Sequence, residues 1–238
     1  MVWFLGAVIG YLSGSISFAR IIFSWKRPGE QFPVLKFQIP NSDVEFVSTS
    51  SGATTIFDAL GGKWGGITGL LDILKALLPT LAARLFFPES LLYLVVGFFA
   101  VLGHNYPVYH RFKGGRGSST ITGVLLVMDW LGTLMTTLVG LVIGILSGQV
   151  NTARWYGRML MIPYTWFVHQ NIWMVLFVVG MNVLFFLAMW EEISQLAKLK
   201  KQGLLPDTET VAEISGVGSM YRLSQKYSIP ALIKRRKK

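Results

Sequence analysis

At 238 residues with 52% hydrophobic and 14% charged side chains, the chain falls far short of the roughly 25% charge of soluble domains and reads as an integral membrane protein. The absence of cysteine excludes disulfides, thiol nucleophiles and thiolate metal sites. The formal net charge of +10 comes from cations gathered between apolar runs and near the C-terminus, a pattern that speaks of topology before function.

Apolar runs at 2–23, 64–87, 91–102, 121–147 and 159–190 alternate with polar segments. A crossing takes about 20 helical residues to traverse roughly 30 Å of hydrocarbon, and every run but the third has that length. The expected fold is all-α and polytopic, with five full spans, or seven helices if short ones form. Two places invite such division: Asp129 in the fourth run, and Pro163 with the HQN at 169–171 in the fifth. The first run lacks a cationic leader and a persuasive cleavage site, and is expected to be retained as a span.

With five crossings, segments 24–63 and 103–120 share a side with the C-terminus. They carry Lys26, Arg27, Lys36, Lys63, Arg111, Lys113 and Arg116, and a terminal KRRKK joins them, whereas the other side shows Arg154 and Arg158. The positive-inside rule makes the cationic side cytoplasmic and puts the N-terminus outside a cell membrane. The expected organisation is a membrane domain over 1–190, with a cytoplasmic loop at 26–52, and a basic cytoplasmic tail over 191–238. Within the loop, VLKFQIPNSDVEFVS reads as two short strands about a polar turn. In the tail, Ile193, Leu196 and Leu199 recur at helical spacing, and Gly203 is placed to end the helix.

The stretch GHNYPVYHRFKGGRGSST at 103–120 sets three cations, two histidines and four glycines between apolar runs. Gly114, Gly115 and Gly117 permit positive φ, which lets consecutive N–H groups converge into an anion-binding nest. Ser118 or Ser119 can cap a helix starting near Thr120, whose amino end adds unpaired donors, while Lys113 and Arg116 supply full positive charge. These are the parts of a phosphate site. They are not the nucleotide P-loop, because no GxxxxGK[ST] spacing is present. A glycine-rich turn whose cations only fix topology is the alternative reading.

Three other clusters stand out. SGSIS at 13–17 contains Ser15 and suits close helix packing in a membrane. STSSGATT at 48–55 offers Ser48, Gly52 and Thr54, able to donate to phosphate or to cap the next helix. Asp72 and Lys75, three residues apart in an apolar helix, share a face and can neutralise each other. His104 and His110 are candidates for proton transfer, although His104 can equally hold the loop's shape through a backbone bond. His169, alone in an apolar region, is expected to pack.

In order, GSIS, SSGATT, GLLDILKALLP and GHNYPVYHRFKGGRGSST resemble the PlsY-type acyl-phosphate:glycerol-3-phosphate acyltransferases of bacterial membranes, whose patterns are GSIP, GSGNxGATN, DILKG and GHxFPxFxxFKGGKGxAT. The match runs from about residue 13 to 125. The resemblance implies transfer of a fatty acyl group from acyl phosphate to the 1-hydroxyl of glycerol 3-phosphate, giving lysophosphatidic acid in phospholipid biosynthesis. It implies no cofactor, no metal and no nucleic acid, with membrane lipid as the surroundings. By position it assigns Ser15, His104, Lys113 and Arg116 to catalysis. It assigns Ser48, Gly52, Thr54, Asp72, Lys75, Gly114, Gly115 and Gly117 to substrate binding, and Ser118 and Ser119, the capping candidates beside them, are counted with these.

The chain also departs from the pattern. Arg116 replaces a lysine, Ser50 and Thr55 replace two asparagines, Val44 stands at an arginine and Ser17 at the proline of GSIP. A third family pattern, HRxNIxRLxxGxE after the last span, has no clear counterpart, and the HQNI at 169–172 is taken as coincidence. The departures support a second expectation, a non-catalytic relative that binds lipid phosphate or a membrane partner, or transfer to another polyol phosphate. The HxxxxD signature of the other glycerolipid acyltransferase class is absent. A transporter fits poorly, because ionisable groups cluster at one interface.

Overall fold

The structure is a computed structural model that describes residues 1–39, 42–147, 150–204 and 228. The terminal KRRKK and the Pro40–Asn41 turn lie outside the described residues.

Helices dominate, and polar residues decide where they break. The first run forms α1 (Val2–Ser15) and α2 (Phe18–Lys26), parted at the SGSIS patch, where Ile16 is extended and Ser17 caps α2 by accepting from the Arg20 N–H. The predicted hairpin is present as β1 (Leu35–Gln38) and β2 (Glu45–Ser48). The loop also holds a helix not expected from the sequence, α3 (Ala53–Leu60), before α4 (Gly62–Phe86). The short third run is helical well past its apolar end: α5 (Leu92–Asn105) carries Gly103, His104 and Asn105, and a 3₁₀ turn follows at Val108–His110. Asp129, extended, separates α6 (Ser118–Met128) from α7 (Trp130–Ser147).

The last run divides at Gln170, whose φ is +47°, into α8 (Val150–His169) and α9 (Ile172–Ala188). Pro163 sits inside α8 and does not end it. The tail helix forms as α10 (Trp190–Lys201), bent by 58° from α9, and Gly203 follows with φ +70°. Among the described residues, four stretches are long and apolar enough to cross a membrane: Val2–Lys26, Gly62–Phe86, Leu92–His110 and Trp130–Ser147. The bent pair α9 and α10 makes up to five. The protein is an all-α polytopic membrane protein with a small hairpin.

The chain forms two compact units. The first comprises Met1–Phe37, Glu45–Trp130 and Val179–Gln195. In it, glycines let α1 lie against α5: a Cβ on Gly14 would enter the Ala100 carbonyl, and one on Gly103 the Tyr11 carbonyl. Such small-residue seams replace the hydrophobic drive that is missing between helices in lipid. Ala19, Ile22, Phe23 and Ile56 form a small core that seats α3 under α2 and α4. Close contact of Gly123 with the Ile73 carbonyl brings α6 beside the Asp72 turn of α4. Arg84 donates to the Val127 and Met128 carbonyls and so satisfies the C-terminal end of α6, where backbone acceptors lack intrahelical partners. The second unit comprises Gln38–Val44, Leu131–Val178 and Leu196 onward. Within it, Gly157 approaches the Thr136 carbonyl, and Thr136 and Thr165 donate back into their own helices.

Candidate active site

Two ionic clusters lie in the first unit, joined through His104. The inner cluster belongs to the helices. Lys75 Nζ lies 2.9 Å from Asp72 Oδ1, donates to the Ile16 carbonyl at 2.6 Å and to His104 Nδ1 at 2.8 Å. Those acceptors match the three N–H groups of an ammonium. The side chains of Lys75 and Asp72 are each 3% exposed, a depth at which a charge has to be paired. The break between α1 and α2 thereby gains a purpose: it frees the Ile16 carbonyl, which an unbroken helix would use internally. Ser15, buried one residue earlier, donates its hydroxyl to the Tyr11 carbonyl of its own helix at 2.8 Å.

Since Lys75 donates to Nδ1, the His104 ring proton belongs on Nε2. That side of the ring faces Gly115, where a Cβ would strike Nε2. The His104 carbonyl accepts from the Gly115 N–H at 3.1 Å, and the Gly114 carbonyl accepts from the Ser51 N–H at 3.0 Å. The glycine loop is therefore laid on the end of α5 and tied to the segment after β2.

This corrects the expected nest. Positive φ occurs at Arg111, Phe112 and Gly117, not at Gly114 or Gly115. The Gly115, Lys113 and Phe112 N–H groups are taken by the carbonyls of His104, His110 and Pro107. Gly114 and Gly115 are needed because a Cβ would collide with the His104 and Asn105 carbonyls or the His104 ring. The capping expectation is corrected too: α6 begins at Ser118, and its N-cap is Gly117, at φ +79°, with no side-chain cap. Only a residue without a Cβ takes that conformation readily.

The outer cluster sits at the end of β2. Ser48 Oγ donates to Glu192 Oε1 at 2.6 Å, and Arg116 Nε and Nη2 donate to the same oxygen at 3.1 and 2.8 Å. Arg116 Nη2 is 3.4 Å from Ser48 Oγ. The first turns of α10 are fastened to β2 on either side: Gln195 accepts from the Val47 N–H and donates to its carbonyl, at 3.0 and 2.9 Å, and Thr49 donates to Glu191 at 3.4 Å.

The remaining predicted residues are placed as follows. Lys113 is exposed, and its carbonyl accepts from Arg20 Nη2 at 3.4 Å, which brings a further cation to the loop. Gly52 is the N-cap of α3 and borders open space, and Thr54 is half-buried in the next turn. Ser119 points toward Gly69 of α4, opposite Ala53, so the starts of α3 and α6 converge on that helix. The two positions that depart from the asparagine pattern bond to each other, with Thr55 donating to the Ser50 carbonyl. Sequence reasoning missed Glu192, Gln195 and Arg20. Arg20 carries a signal, a lone cation inside the first apolar run; the other two read as a solvated helix face.

Comparison with known proteins gives the family. The profile of the family described as glycerol-3-phosphate acyltransferase matches residues 35–201, which reaches through α10 and extends the likeness beyond the motifs read from the sequence. A glycerol-3-phosphate acyltransferase of Mycoplasma capricolum subsp. capricolum is 28% identical over 84% of this chain and 71% of its own length. One from Mycoplasma mycoides subsp. mycoides is 31% identical over 71% of this chain and 65% of its own. The crystal structure of PlsY, an integral membrane glycerol 3-phosphate acyltransferase, in its glycerol 3-phosphate form superposes with a TM-score of 0.68 at 27% identity, covering 83% of this chain and 93% of that one. The chain belongs to the glycerol-3-phosphate acyltransferase family.

Proposed function

We propose that the protein transfers a fatty acyl group from acyl phosphate to the 1-hydroxyl of glycerol 3-phosphate, at the cytoplasmic rim of the membrane with the N-terminus outside. The acceptor hydroxyl oxygen attacks the acyl carbonyl carbon, the carbon–oxygen bond to phosphate breaks, and the released phosphate takes the hydroxyl proton. The products are lysophosphatidic acid and inorganic phosphate. An acyl phosphate is already activated, so the protein's task is to hold two anions and a hydroxyl in register, which by itself supplies several kcal/mol. Lys113, Arg116 and the amides of Gly117, Ser118 and Ser119 at the start of α6 are the groups that disperse charge as phosphate leaves. Ser48 meets Arg116 from β2, and Gly52 and Thr54 at the start of α3 are assigned to the acceptor.

The observation that carries this reading is the approach of Arg116 to Ser48, residues far apart in the sequence that meet beside the glycine loop. Ser15, Asp72, Lys75 and His104 act as positioning residues. With His104 Nδ1 engaged by Lys75, the ring has no lone pair to serve as a base, and a substrate phosphate oxygen is the better proton acceptor. The groove between α4 and α6, about 670 Å³ and lined by Leu77, Leu81, Leu85, Leu126, Val127 and Trp130, suits the acyl chain.

The test is turnover of acyl phosphate and glycerol 3-phosphate by the purified protein in lipid nanodiscs, with Lys113→Ala and Arg116→Ala as controls. Acceptor-dependent formation of lysophosphatidic acid that falls in both variants is expected. Phosphate release independent of acceptor refutes the transfer. Binding of glycerol 3-phosphate without turnover supports instead a non-catalytic relative.

A further inference from the structure

In the outer cluster the chain's own carboxylate takes the donors of Ser48 and Arg116. One oxygen of Glu192 receives the Ser48 hydroxyl and two nitrogens of Arg116, at 2.6, 3.1 and 2.8 Å. Convergence of a hydroxyl and a guanidinium edge on one anionic oxygen is how a phosphate oxygen is held. Ser48 is 1% exposed and Glu192 8%, so the carboxylate is sequestered with its partners and is not a solvated rim charge. A substrate phosphate drawn to Ser48 and Arg116 meets that carboxylate at the same donors. Two anions cannot share them: like charges in contact repel strongly where water is scarce.

We infer that Glu192 is a specificity-determining residue, an internal competitor that occupies the phosphate donors of the empty enzyme and has to withdraw when substrate phosphate arrives. The inference rests on the proposed role of Ser48 and Arg116 in holding that phosphate. The neighbours of Glu192 make the withdrawal local. Gln195 keeps both of its bonds to the Val47 backbone, and Thr49 holds Glu191, so α10 stays on β2 while one side chain turns away. Glu192 thereby sets a threshold: only a ligand with more negative charge than a carboxylate, a phosphate monoester above all, gains by displacing it. A neutral polyol or a monocarboxylate does not.

Titration of the full chain in detergent micelles with glycerol 3-phosphate and with inorganic phosphate tests this, comparing the parent, Glu192→Gln and Arg116→Ala. Glutamine keeps the shape and an acceptor for Ser48 but removes the competing charge. Loss of a charge-assisted contact at that strength corresponds to tightening of both ligands by roughly tenfold. The KM for glycerol 3-phosphate should fall and discrimination against glycerate should weaken. A merely structural Glu192 predicts weaker binding or none of these shifts. If Arg116→Ala weakens phosphate binding but Glu192→Gln fails to tighten it, the competitor role is overturned and the site stands. If Arg116→Ala leaves phosphate affinity unchanged, the site itself is refuted. Should glutamine impair folding, Glu192→Ala, which removes the charge outright, reads the same way: tighter phosphate supports competition and unchanged affinity overturns it.

Discussion

The two ionic clusters share a composition and differ in what a ligand can do to them. Each sets a cation against a carboxylate with a third polar group beside it: Lys75, Asp72 and His104 inside, Arg116, Glu192 and Ser48 outside. In the inner one the ammonium is held by Asp72 and His104 from two helices and by the Ile16 main-chain carbonyl at the break between α1 and α2. In the outer one the anion hangs from a long side chain on α10, and all three of its contacts are ones a phosphate can replace. A buried ion pair with fixed partners is a brace, whereas the same pair with a replaceable partner has the makings of the site proposed above.

The contrast breaks most visibly at Lys75. Lys75→Met leaves Asp72 buried without its counter-charge, which costs about 3–5 kcal/mol when one member of a buried pair is removed. Thermal unfolding in detergent should show a large fall for Lys75→Met, and for Asp72→Asn a comparable one. The double change to an uncharged pair should recover most of the loss, since apolar replacement of a whole buried pair is often neutral. A double variant as unstable as the singles would mean the ammonium matters through Ile16 and His104, not through Asp72.

At Arg116 the expected loss lies in ligand binding, not in folding. Arg116→Ala removes charge-assisted bonds and should raise the KM for glycerol 3-phosphate by roughly 10- to 100-fold. The unfolding midpoint should move less than for Lys75→Met, because the Glu192 carboxylate hangs from a long side chain that can withdraw once its partner is gone, whereas Asp72 is held in place on α4. Equal destabilisation at both cations would erase the distinction between brace and site.

What the sequence disclosed follows the same division. The spans, the hairpin, and the breaks at Asp129 and at HQN were legible, because a polar residue in an apolar run has few explanations in lipid. The pairing of Asp72 with Lys75 was legible from helical spacing. The helical state of Gly103 to Asn105 was not, since the apolar run ends at Leu102 and the continuation is held by Lys75 from another helix. The loop glycines were recognised as essential but for a reason of dihedral freedom, where the requirement at Gly114 and Gly115 is proximity to α5. Glu192 was illegible: its partner Ser48 is 144 residues away, and EEIS at a helix start satisfies the macrodipole without any further purpose.

Gly115 is the link between the clusters, so a methyl there tests whether they are coupled. Gly115→Ala drives a Cβ into the His104 ring, and overpacking of this kind costs about 1–3 kcal/mol. The expected result is a moderate fall in unfolding temperature together with lost turnover, as the loop lifts from α5 and carries Arg116 with it. Retained turnover at reduced stability would show that the outer site does not depend on its seat against His104.

The smallest effect on stability is expected at Gly52, where the same methyl meets nothing within 4 Å. Its φ of −147° is extended and open to any residue, so the only folding cost of Gly52→Ala is the poorer N-cap, less than about 1 kcal/mol. If the space beside Gly52 is where substrate approaches the first turn of α3, the methyl intrudes on the ligand alone, and the KM should rise while the unfolding midpoint holds. The pair of alanine variants then separates two reasons for a glycine in one site: at Gly115 the room is needed by the protein, and at Gly52 by what it binds. An unchanged KM in Gly52→Ala would move the acceptor away from α3 and leave Ser48 and Arg116 to hold it from β2 and the loop.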